Sequence, residues 1–154
     1  MDELARVRGI ADYQFGNGAG EVLFPDEVEF EHSRNTGKLR HIHLGEALLA
    51  TLRPNDGVFT LTIAGARRLS SLPALGYRVT VSAEVAEFVS QGRNVFAKHV
   101  VDAGEKVRPG DEVIVSTPDG SVVGVGKALL ARGEMLRFRT GVAVKTRRGS
   151  ETDA

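Results

Sequence analysis

The residues whose types could bind a ligand are concentrated between Gly92 and His99. Arg93 and Lys98 carry positive charges that suit phosphate groups, and Asn94 can hydrogen-bond to a sugar or a base. A glycine that ends a helix presents free backbone groups and lets a ligand backbone approach. The candidate contacts to a polyanion are therefore Gly92, Arg93, Asn94, Phe96, Lys98 and His99. A second interpretation remains open, in which this stretch is a helix cap followed by a core strand.

A second set of candidates lies in a basic segment near the end of the chain. Between Val123 and Gly149 there are seven Lys and Arg residues and a single acidic residue, Glu134. The chain as a whole has no net charge, so this excess is local. Such an excess is compatible with RNA binding and equally with an ordinary solvated surface. The candidates here are Lys127, Lys145, Arg147 and Arg148, with Arg137 and Arg139 as further basic residues.

Gly124 and Gly126 stand in a predicted strand just before Lys127. Glycine weakens a strand but lets another backbone come close to it. That backbone could belong to a bound RNA or to the protein itself, which would pack its preceding helix there. The sequence leaves both explanations open, and Gly124 and Gly126 are therefore included among the candidate RNA contacts.

Other kinds of chemistry have little support in the sequence. The chain has no cysteine, which excludes a disulfide, a thiolate zinc site and a cysteine nucleophile. His41 and His43 share a strand face, but a metal ion needs further ligands and no acidic cluster is nearby in sequence. No carboxylate pairs with a His or Ser in a catalytic spacing. We therefore expect no catalytic residue, no metal site and no cofactor.

Two features of the sequence, its opening residues and the length of its apolar runs, are used to predict the localisation of the protein in the cell. The opening residues, MDELAR, lack the basic start and apolar stretch of a secretory signal. No apolar run approaches the roughly 20 residues that are needed to cross a bilayer. We expect a cytoplasmic protein without membrane contact.

The first half of the chain is predicted to combine helices with strands. Apolar residues recur every three or four positions from Glu3 to Phe15, which predicts an amphipathic helix with Asp2 as its N-cap. The predicted strands are Val28 to His32, Leu39 to Leu44, Leu48 to Arg53 and Val58 to Ile63, with Val22 to Phe24 as a short strand or turn. A short helix and a connector end at Gly76, so residues 1–76 form a small α+β domain.

The second half, residues 77–149, is predicted to form a small closed sheet or pseudo-barrel. A strand at Tyr77 to Val81 is followed by Ser82 as the N-cap of a helix, Ala83 to Gln91, which Gly92 ends. The further predicted strands are Val95 to Val101, Glu112 to Ser116, Val122 to Leu130 and Val142 to Thr146. One helix among short strands with tight turns is typical of such a barrel. Residues 150–154 are expected to be a frayed tail.

Four ordered segments of the second half together resemble a PUA domain. They are FVSQGRNVFAKHV at 88–100, RPGDEV at 108–113, VGVGKA at 123–128 and GVAVK at 141–145. The resemblance extends to the C-terminal part of archaeal enzymes that install archaeosine in tRNA, the archaeosine tRNA-guanine transglycosylase and archaeosine synthase. The segments IADYQFGNGAG at 10–20, SRNTGKLR at 33–40 and LATLR at 49–53 resemble the part that precedes the PUA domain there.

This resemblance implies a pre-PUA-like α+β domain followed by a PUA-type β pseudo-barrel. It implies RNA, and tRNA in particular, as the partner of a protein without catalytic activity of its own. The RNA groove would follow the first helix of the PUA domain, the segment from Gly92 to His99 and the strand around Gly124 to Lys127. Lys145 to Arg148 would lie in the final strand.

Two alternatives to a simple RNA-binding protein remain open. The chain could be the accessory subunit of a split tRNA-modifying enzyme of the archaeosine pathway. Its partner would then be a catalytic transglycosylase subunit, because the catalytic barrel of those enzymes needs several hundred further residues. The chain could instead be an adaptor whose first domain, which is acidic overall, docks another protein.

Overall fold

A computed structural model describes residues 2–152 of the chain. The chain divides into two compact units, Met1–Pro73 and Ala74–Ala154, and each unit combines helices with one sheet. The predicted α+β class is therefore confirmed. No helix within the described residues is long and apolar enough to cross a membrane.

Helix α1 (Glu3–Phe15) opens the first unit and lies where its apolar periodicity predicts it. The Asp2 carboxylate accepts a hydrogen bond from the Ala5 amide nitrogen at 2.7 Å, as an N-cap residue does. The buried residues of the helix recur at every fourth position and face the core. The sequence thus determines both the start of α1 and the side that it buries.

The sequence predicts a short strand or turn from Val22 to Phe24, and this prediction is wrong. Most of the segment belongs to a second helix, α2 (Ala19–Leu23), which packs against α1. The Asp12 carboxylate of α1 accepts a hydrogen bond from the Gly20 amide nitrogen at 2.7 Å. It satisfies a donor in the first turn of α2 that would otherwise lack a partner within the helix. The local apolar pattern gives no sign of this contact from a neighbouring helix.

The first unit continues with an antiparallel sheet whose strands follow sequence order. They are β1 (Glu29–His32), β2 (Leu39–Leu44), β3 (Ala47–Leu52) and β4 (Phe59–Leu61), and α3 (Ile63–Leu69) comes after them. The predicted hairpins are observed, with strand ends that differ slightly from the prediction. Ile42, Ala50 and Leu61 lie in register and are buried, so one face of the sheet covers the core.

The second unit is built on a single sheet that is nearly closed. Its strands are β5 (Arg78–Val81), β6 (Val95–Phe96), β7 (Val100–Ala103), β8 (Glu112–Ser116), β9 (Val122–Ala128) and β10 (Val142–Gly149). Their order in the sheet is β6-β10-β9-β8-β5-β7, with only β5 and β8 parallel among the described strand pairs. The two edge strands, β6 and β7, are consecutive along the chain, which brings the edges together as in a pseudo-barrel.

The predicted strand from Val95 to Val101 is interrupted by a 3-10 turn at Ala97–His99. On one side of this turn β6 pairs with β10, and on the other side β7 pairs with β5. Because these pairings lie at opposite edges of the sheet, a straight strand could not make both. The buried Ala97 stabilises the change of direction, and its amide nitrogen donates to the Gly141 carbonyl oxygen at 3.0 Å.

The predicted helix from Ala83 to Gln91 is shorter in the structure. It begins with a 3-10 turn at Ala83–Val85, and only α4 (Ala86–Ser90) is α-helical. The Ser82 side chain makes no N-cap hydrogen bond, contrary to the prediction. The Ser82 backbone amide nitrogen donates to the His99 carbonyl oxygen at 2.9 Å, which ties the start of this helical segment to the 3-10 turn after β6.

Helix α5 (Arg132–Arg137) is absent from the sequence prediction because Gly133 indicates a turn. The Glu134 carboxylate accepts a hydrogen bond from the Ala131 amide nitrogen at 2.9 Å and stabilises the first turn of the helix. Met135 is fully buried and joins the core of the second unit. Burial against the barrel thus outweighs the weak helix propensity of glycine.

The last residues do not fray as the prediction for residues 150–154 expects. The Ser150 amide nitrogen donates to the Val123 carbonyl oxygen, and that of Glu151 donates to the Ser90 carbonyl oxygen, both at 2.9 Å. These bonds hold the chain against β9 and against the end of α4. The final two residues of the predicted tail lie outside the described residues.

Candidate functional site

A cleft of about 450 Å³ opens on the second unit between α4 and the segment that follows it. Its lining includes four of the predicted contact residues, namely Arg93, Asn94, Phe96 and His99. Glu84, Val85 and Phe88 also line it, and none of the three is among the contact residues predicted from the sequence. Glu84 and Phe88 are four positions apart, a spacing that places residues on one face of a helix. That spacing is the signal that could have found them.

The chain leaves α4 through a left-handed turn at Gly92, whose φ is 95°. The Gly92 amide nitrogen donates to the Val89 carbonyl oxygen at 2.8 Å, and the Arg93 amide nitrogen donates to the Phe88 oxygen at 3.1 Å. These two bonds form the Schellman motif, which favours glycine at the left-handed position. Both amides are used by the helix end, so the expectation that Gly92 presents free backbone groups is wrong for these donors.

Two aromatic rings are exposed at the cleft. Phe88 is 51% exposed and Phe96 is 47% exposed. The guanidinium carbon of Arg93 lies 5.7 Å from the centre of the Phe88 ring, which is a cation–π contact. Aromatic rings, with a guanidinium placed over one of them, are the kind of surface on which an unpaired base stacks.

The segment after the turn divides its side chains between the core and the surface. The buried residues are Val95, Ala97 and Val100. The exposed residues are Arg93, Asn94, Phe96 and Lys98. The core interpretation is therefore confirmed for the three buried residues, and the contact interpretation stays a prediction for the four exposed ones. Lys98 stands on the 3-10 turn and is not among the residues that line the cleft.

Asn94 and His99 each have a neighbour within the protein. The Asn94 side-chain oxygen accepts a hydrogen bond from the Thr146 amide nitrogen at 3.1 Å, next to the bulge in β10. This bond ties the lining of the cleft to the last strand. His99 is half-buried, and its Nδ1 lies 3.9 Å from a carboxylate oxygen of Glu84.

Charged side chains form a row across β8, β9 and β10. Glu112, Lys127 and Lys145 lie in register, and both lysines are exposed whereas Glu112 is buried. The Arg147 guanidinium donates two hydrogen bonds to the Glu112 carboxylate, one of them 2.7 Å long. Arg147 thus compensates a buried negative charge, which gives this predicted contact a structural role.

Gly124 and Gly126 are buried within β9. A Cβ on Gly126 would lie 2.2 Å from the Lys145 carbonyl oxygen, and one on Gly124 would lie 3.1 Å from the Val89 side chain. The space beside each glycine is therefore occupied by the protein itself, which supports the packing explanation. Arg148, on the neighbouring strand, is half-buried.

His41 and His43 of the first unit take part in hydrogen bonds between strands. His41 Nδ1 lies 3.1 Å from the Thr51 hydroxyl, and His43 Nε2 lies 3.2 Å from a Glu31 carboxylate oxygen. The hydrogen bond from His43 is the main cause of a pKa of Glu31 below its ordinary value. Within residues 2–152, no group of three or more His, Asp or Glu side chains is arranged to hold a metal ion.

Comparison with known proteins connects this geometry with a family. Residues 77–150 match the PUA domain family. The chain is a PUA-domain protein. Residues 5–74 match the family described as the patch-forming domain C2 of tRNA-guanine transglycosylase. The resemblance to the pre-PUA and PUA part of archaeal transglycosylases is therefore confirmed.

The relatives of this PUA-domain protein include much longer enzymes. The tRNA-guanine(15) transglycosylase of Methanothermobacter thermautotrophicus is 47% identical over 97% of this chain, and the match covers 23% of that enzyme. The tRNA-guanine(15) transglycosylase of Pyrococcus furiosus is 44% identical, with 94% of this chain and 24% of the enzyme covered. The chain thus spans less than a quarter of the length of these two relatives.

Two solved structures share the fold of the whole chain. A hypothetical protein from Pyrococcus horikoshii has a TM-score of 0.76 at 20% identity, covering 98% of this chain and 95% of its own. A conserved PUA domain protein from Thermoplasma acidophilum has a TM-score of 0.71 at 18% identity, covering 96% and 88%. At such identities the likeness establishes the fold, and the predicted pseudo-barrel is confirmed.

The packing explanation for Gly126 predicts a large loss of stability in the Gly126→Ala variant. An added Cβ would push β9 and β10 of the PUA domain apart, at a cost of about 1–3 kcal/mol or more. Gly133→Ala in α5 is the control, because no atom lies within 4 Å of its added Cβ. It should raise stability by up to about 1 kcal/mol. Urea unfolding of both variants measures the difference, and an unchanged midpoint for Gly126→Ala would contradict the packing explanation.

The ion pair with Glu112 predicts that Arg147 matters for the stability of the PUA domain. Arg147→Ala removes the two hydrogen bonds that the buried Glu112 carboxylate accepts from Arg147 and should cost about 1–3 kcal/mol, since one-third exposure of Arg147 moderates the loss. Lys145→Ala, on the same strand but exposed, should stay within about 0.5 kcal/mol of the parent protein. Thermal unfolding compares the two, and equal small effects would show that the ion pair contributes little.

Proposed function

We propose that the chain binds RNA, and tRNA in particular, through its PUA domain, and that it catalyses no reaction by itself. The observation that carries the proposal is the cleft, which is lined by two exposed aromatic rings and by Arg93. Aromatic rings stack on unpaired bases, and arginine meets phosphates or stacks on bases itself. The similarity to part of the tRNA-guanine(15) transglycosylases supports tRNA as the RNA. A cytoplasmic location belongs to the same proposal.

The proposal gives the candidate residues different roles. Arg93 and Lys98 contact phosphates, and Phe96 stacks on a base. Lys127 and Lys145 extend the positive surface along the sheet. The remaining candidates line the cleft or act mainly through the shape of the domain. They are Gly92, Asn94, His99, Gly124, Gly126, Arg147 and Arg148. Charged contacts of this kind supply affinity and position the RNA, whereas contacts to base edges supply specificity.

A second candidate function is that of an accessory subunit in a tRNA-modifying enzyme. The observation that favours it is the match of both units, in the same order, to one segment of the archaeal transglycosylases. In this case the chain would hold tRNA for a catalytic transglycosylase partner. Capture of the protein from native extract, with identification of bound RNA and bound protein, separates the two functions.

The phosphate role of Arg93 and Lys98 predicts a change in salt dependence. The double variant Arg93→Ala, Lys98→Ala should bind tRNA more weakly, and its slope of log affinity against log salt should flatten by about two units, or slightly less. Thermal stability should hardly change, because both side chains are exposed. Filter binding or fluorescence anisotropy at several salt concentrations gives the slope.

The matched control for that experiment removes the same charge elsewhere in the PUA domain. Lys106 and Arg108 are exposed and do not line the cleft. Lys106→Ala with Arg108→Ala should leave the slope close to that of the parent protein. If both double variants behave alike, the phosphate contacts lie elsewhere, and the basic residues Arg137, Arg139, Lys127 and Lys145 become the ones to test.

The division of the chain predicts that the second unit folds and binds RNA alone. A hydrophobic cluster of buried residues, from Val79 to Val144, lies within this unit. A polypeptide that begins at Ala74 is preferable to one that begins at Tyr77, because the Gly76 carbonyl oxygen accepts a hydrogen bond from the Lys106 amide nitrogen. We expect dispersed NMR spectra and most of the tRNA affinity of the full chain. A disordered spectrum would refute the division, and a folded fragment without affinity would assign the RNA contacts to the first unit.

A further inference from the structure

Residues 136–141, at the end of α5 and just after it, form an exposed segment that does not line the cleft. Its apolar side chains, Leu136 and Phe138, are 41% and 45% exposed. Arg137 and Arg139 stand on either side of Phe138, whose backbone is extended. Side chains two positions apart along an extended chain point to the same side. Both guanidinium groups can therefore reach one ligand, and we call residues 136–141 the arginine segment.

The charges of the arginine segment are not neutralised by acidic side chains. From residue 135 to residue 150 the sequence has no Asp or Glu. Among the residues that the structure describes, no ion pair includes Arg137, Arg139 or Lys98. A group of cations without counterions attracts an anionic partner.

The two acidic residues nearest to this surface already have partners within the protein. The Glu134 carboxylate accepts the hydrogen bond from the Ala131 amide nitrogen, and an Asp102 carboxylate oxygen lies 3.6 Å from the Arg132 guanidinium. Arg132, at the start of α5, therefore offsets the charge of Asp102. The positive charge at the end of the same helix is left to the solvent or to a ligand.

The arginine segment adjoins the cleft through the backbone. The Gly141 carbonyl oxygen accepts a hydrogen bond from the Ala97 amide nitrogen at 3.0 Å, one residue after Phe96 of the cleft lining. Arg139 is two residues before Gly141, so their Cα atoms are at most about 8 Å apart. Helix α5 also packs against the 3-10 turn that carries Lys98. Lys98 thus stands on the element that joins the cleft to the arginine segment.

We infer that an RNA held in the cleft continues across the 3-10 turn to the arginine segment, where Arg137 and Arg139 contact its phosphates. This inference rests on the proposed RNA binding and gives the same ligand a second set of contacts. A nucleic acid carries a phosphate at every nucleotide, so a chain that leaves the cleft on this side meets three cations in succession. The exposed ring of Phe138 between two guanidinium groups suits a nucleotide better than an acidic protein surface, because bases stack on aromatic rings.

The double variant Arg137→Gln, Arg139→Gln of the full chain tests the inference, because glutamine removes the charge and retains a polar side chain. In fluorescence anisotropy with tRNA its affinity should fall. The slope of log affinity against log salt should flatten by about 1.4 to 1.8 units, since two phosphate contacts are lost. Thermal unfolding should hardly change, because both side chains are exposed.

The matched control is Lys106→Gln with Arg108→Gln. It also removes two exposed cations from the PUA domain, but there Glu105 and Asp111 are close in sequence and balance the charge. Its slope should stay near that of the parent protein. A general loss of attraction for polyanions would lower both slopes alike, whereas a contact at the arginine segment lowers only one.

A variant that combines Arg137→Gln and Arg139→Gln with Arg93→Ala and Lys98→Ala tests whether one RNA spans both places. If it does, the losses of slope in the two double variants should add. If tRNA binds the parent protein but the losses do not add, or Arg137→Gln, Arg139→Gln behaves like its control, the inference is overturned and the proposed function stands. The arginine segment would then be available to an acidic protein partner. If the parent protein does not bind tRNA, both are overturned.

Discussion

The reversal of the chain at Gly92 governs the geometry of the cleft. Two hydrogen bonds close the end of α4 there, and the same reversal sets Arg93 over the Phe88 ring. The last strand presses against this turn, because a Cβ on Gly149 would lie 2.2 Å from the Ser90 carbonyl oxygen. Helix end and final strand therefore hold each other in place. The left-handed conformation of Gly92 is therefore needed to bring the residues before and after it to the same cleft.

Not every basic residue of the segment from Val123 to Gly149 is available to attract an anion. This segment has seven Lys and Arg residues, but two of them bind to other groups of the protein. Arg147 pairs with the buried Glu112, and Arg132 donates to the Ala103 carbonyl oxygen at 2.7 Å and lies 3.6 Å from Asp102. Charges used in this way contribute little to the attraction of a polyanion. Lys127 and Lys145 are exposed, so their charges contribute to the positive field at the surface of this sheet.

Much of the fold could be predicted from the sequence because its signals are local. The Asp2 cap, the periodicity of α1 and the end of α4 at Gly92 all depend on residues a few positions apart. The 3-10 turn at Ala97–His99 could not be predicted, since it exists only because β6 and β7 pair at different edges of the sheet. The pairing of Arg147 with Glu112 could not be predicted either, because it joins residues on different strands that are far apart along the chain. The placement of Glu84 near Phe88 could have been predicted from the spacing of four residues in the predicted helix.

The cleft draws on residues that are far apart along the chain. Asn94 is held by the Thr146 amide, β6 pairs with β10, and the end of α4 packs against Gly149. During synthesis on the ribosome, the segment from Glu84 to His99 emerges some 50 residues before these supports do. The nascent chain therefore cannot form its cleft until β10 has left the exit tunnel. Emergence of β10 is then the step that completes the walls of the cleft.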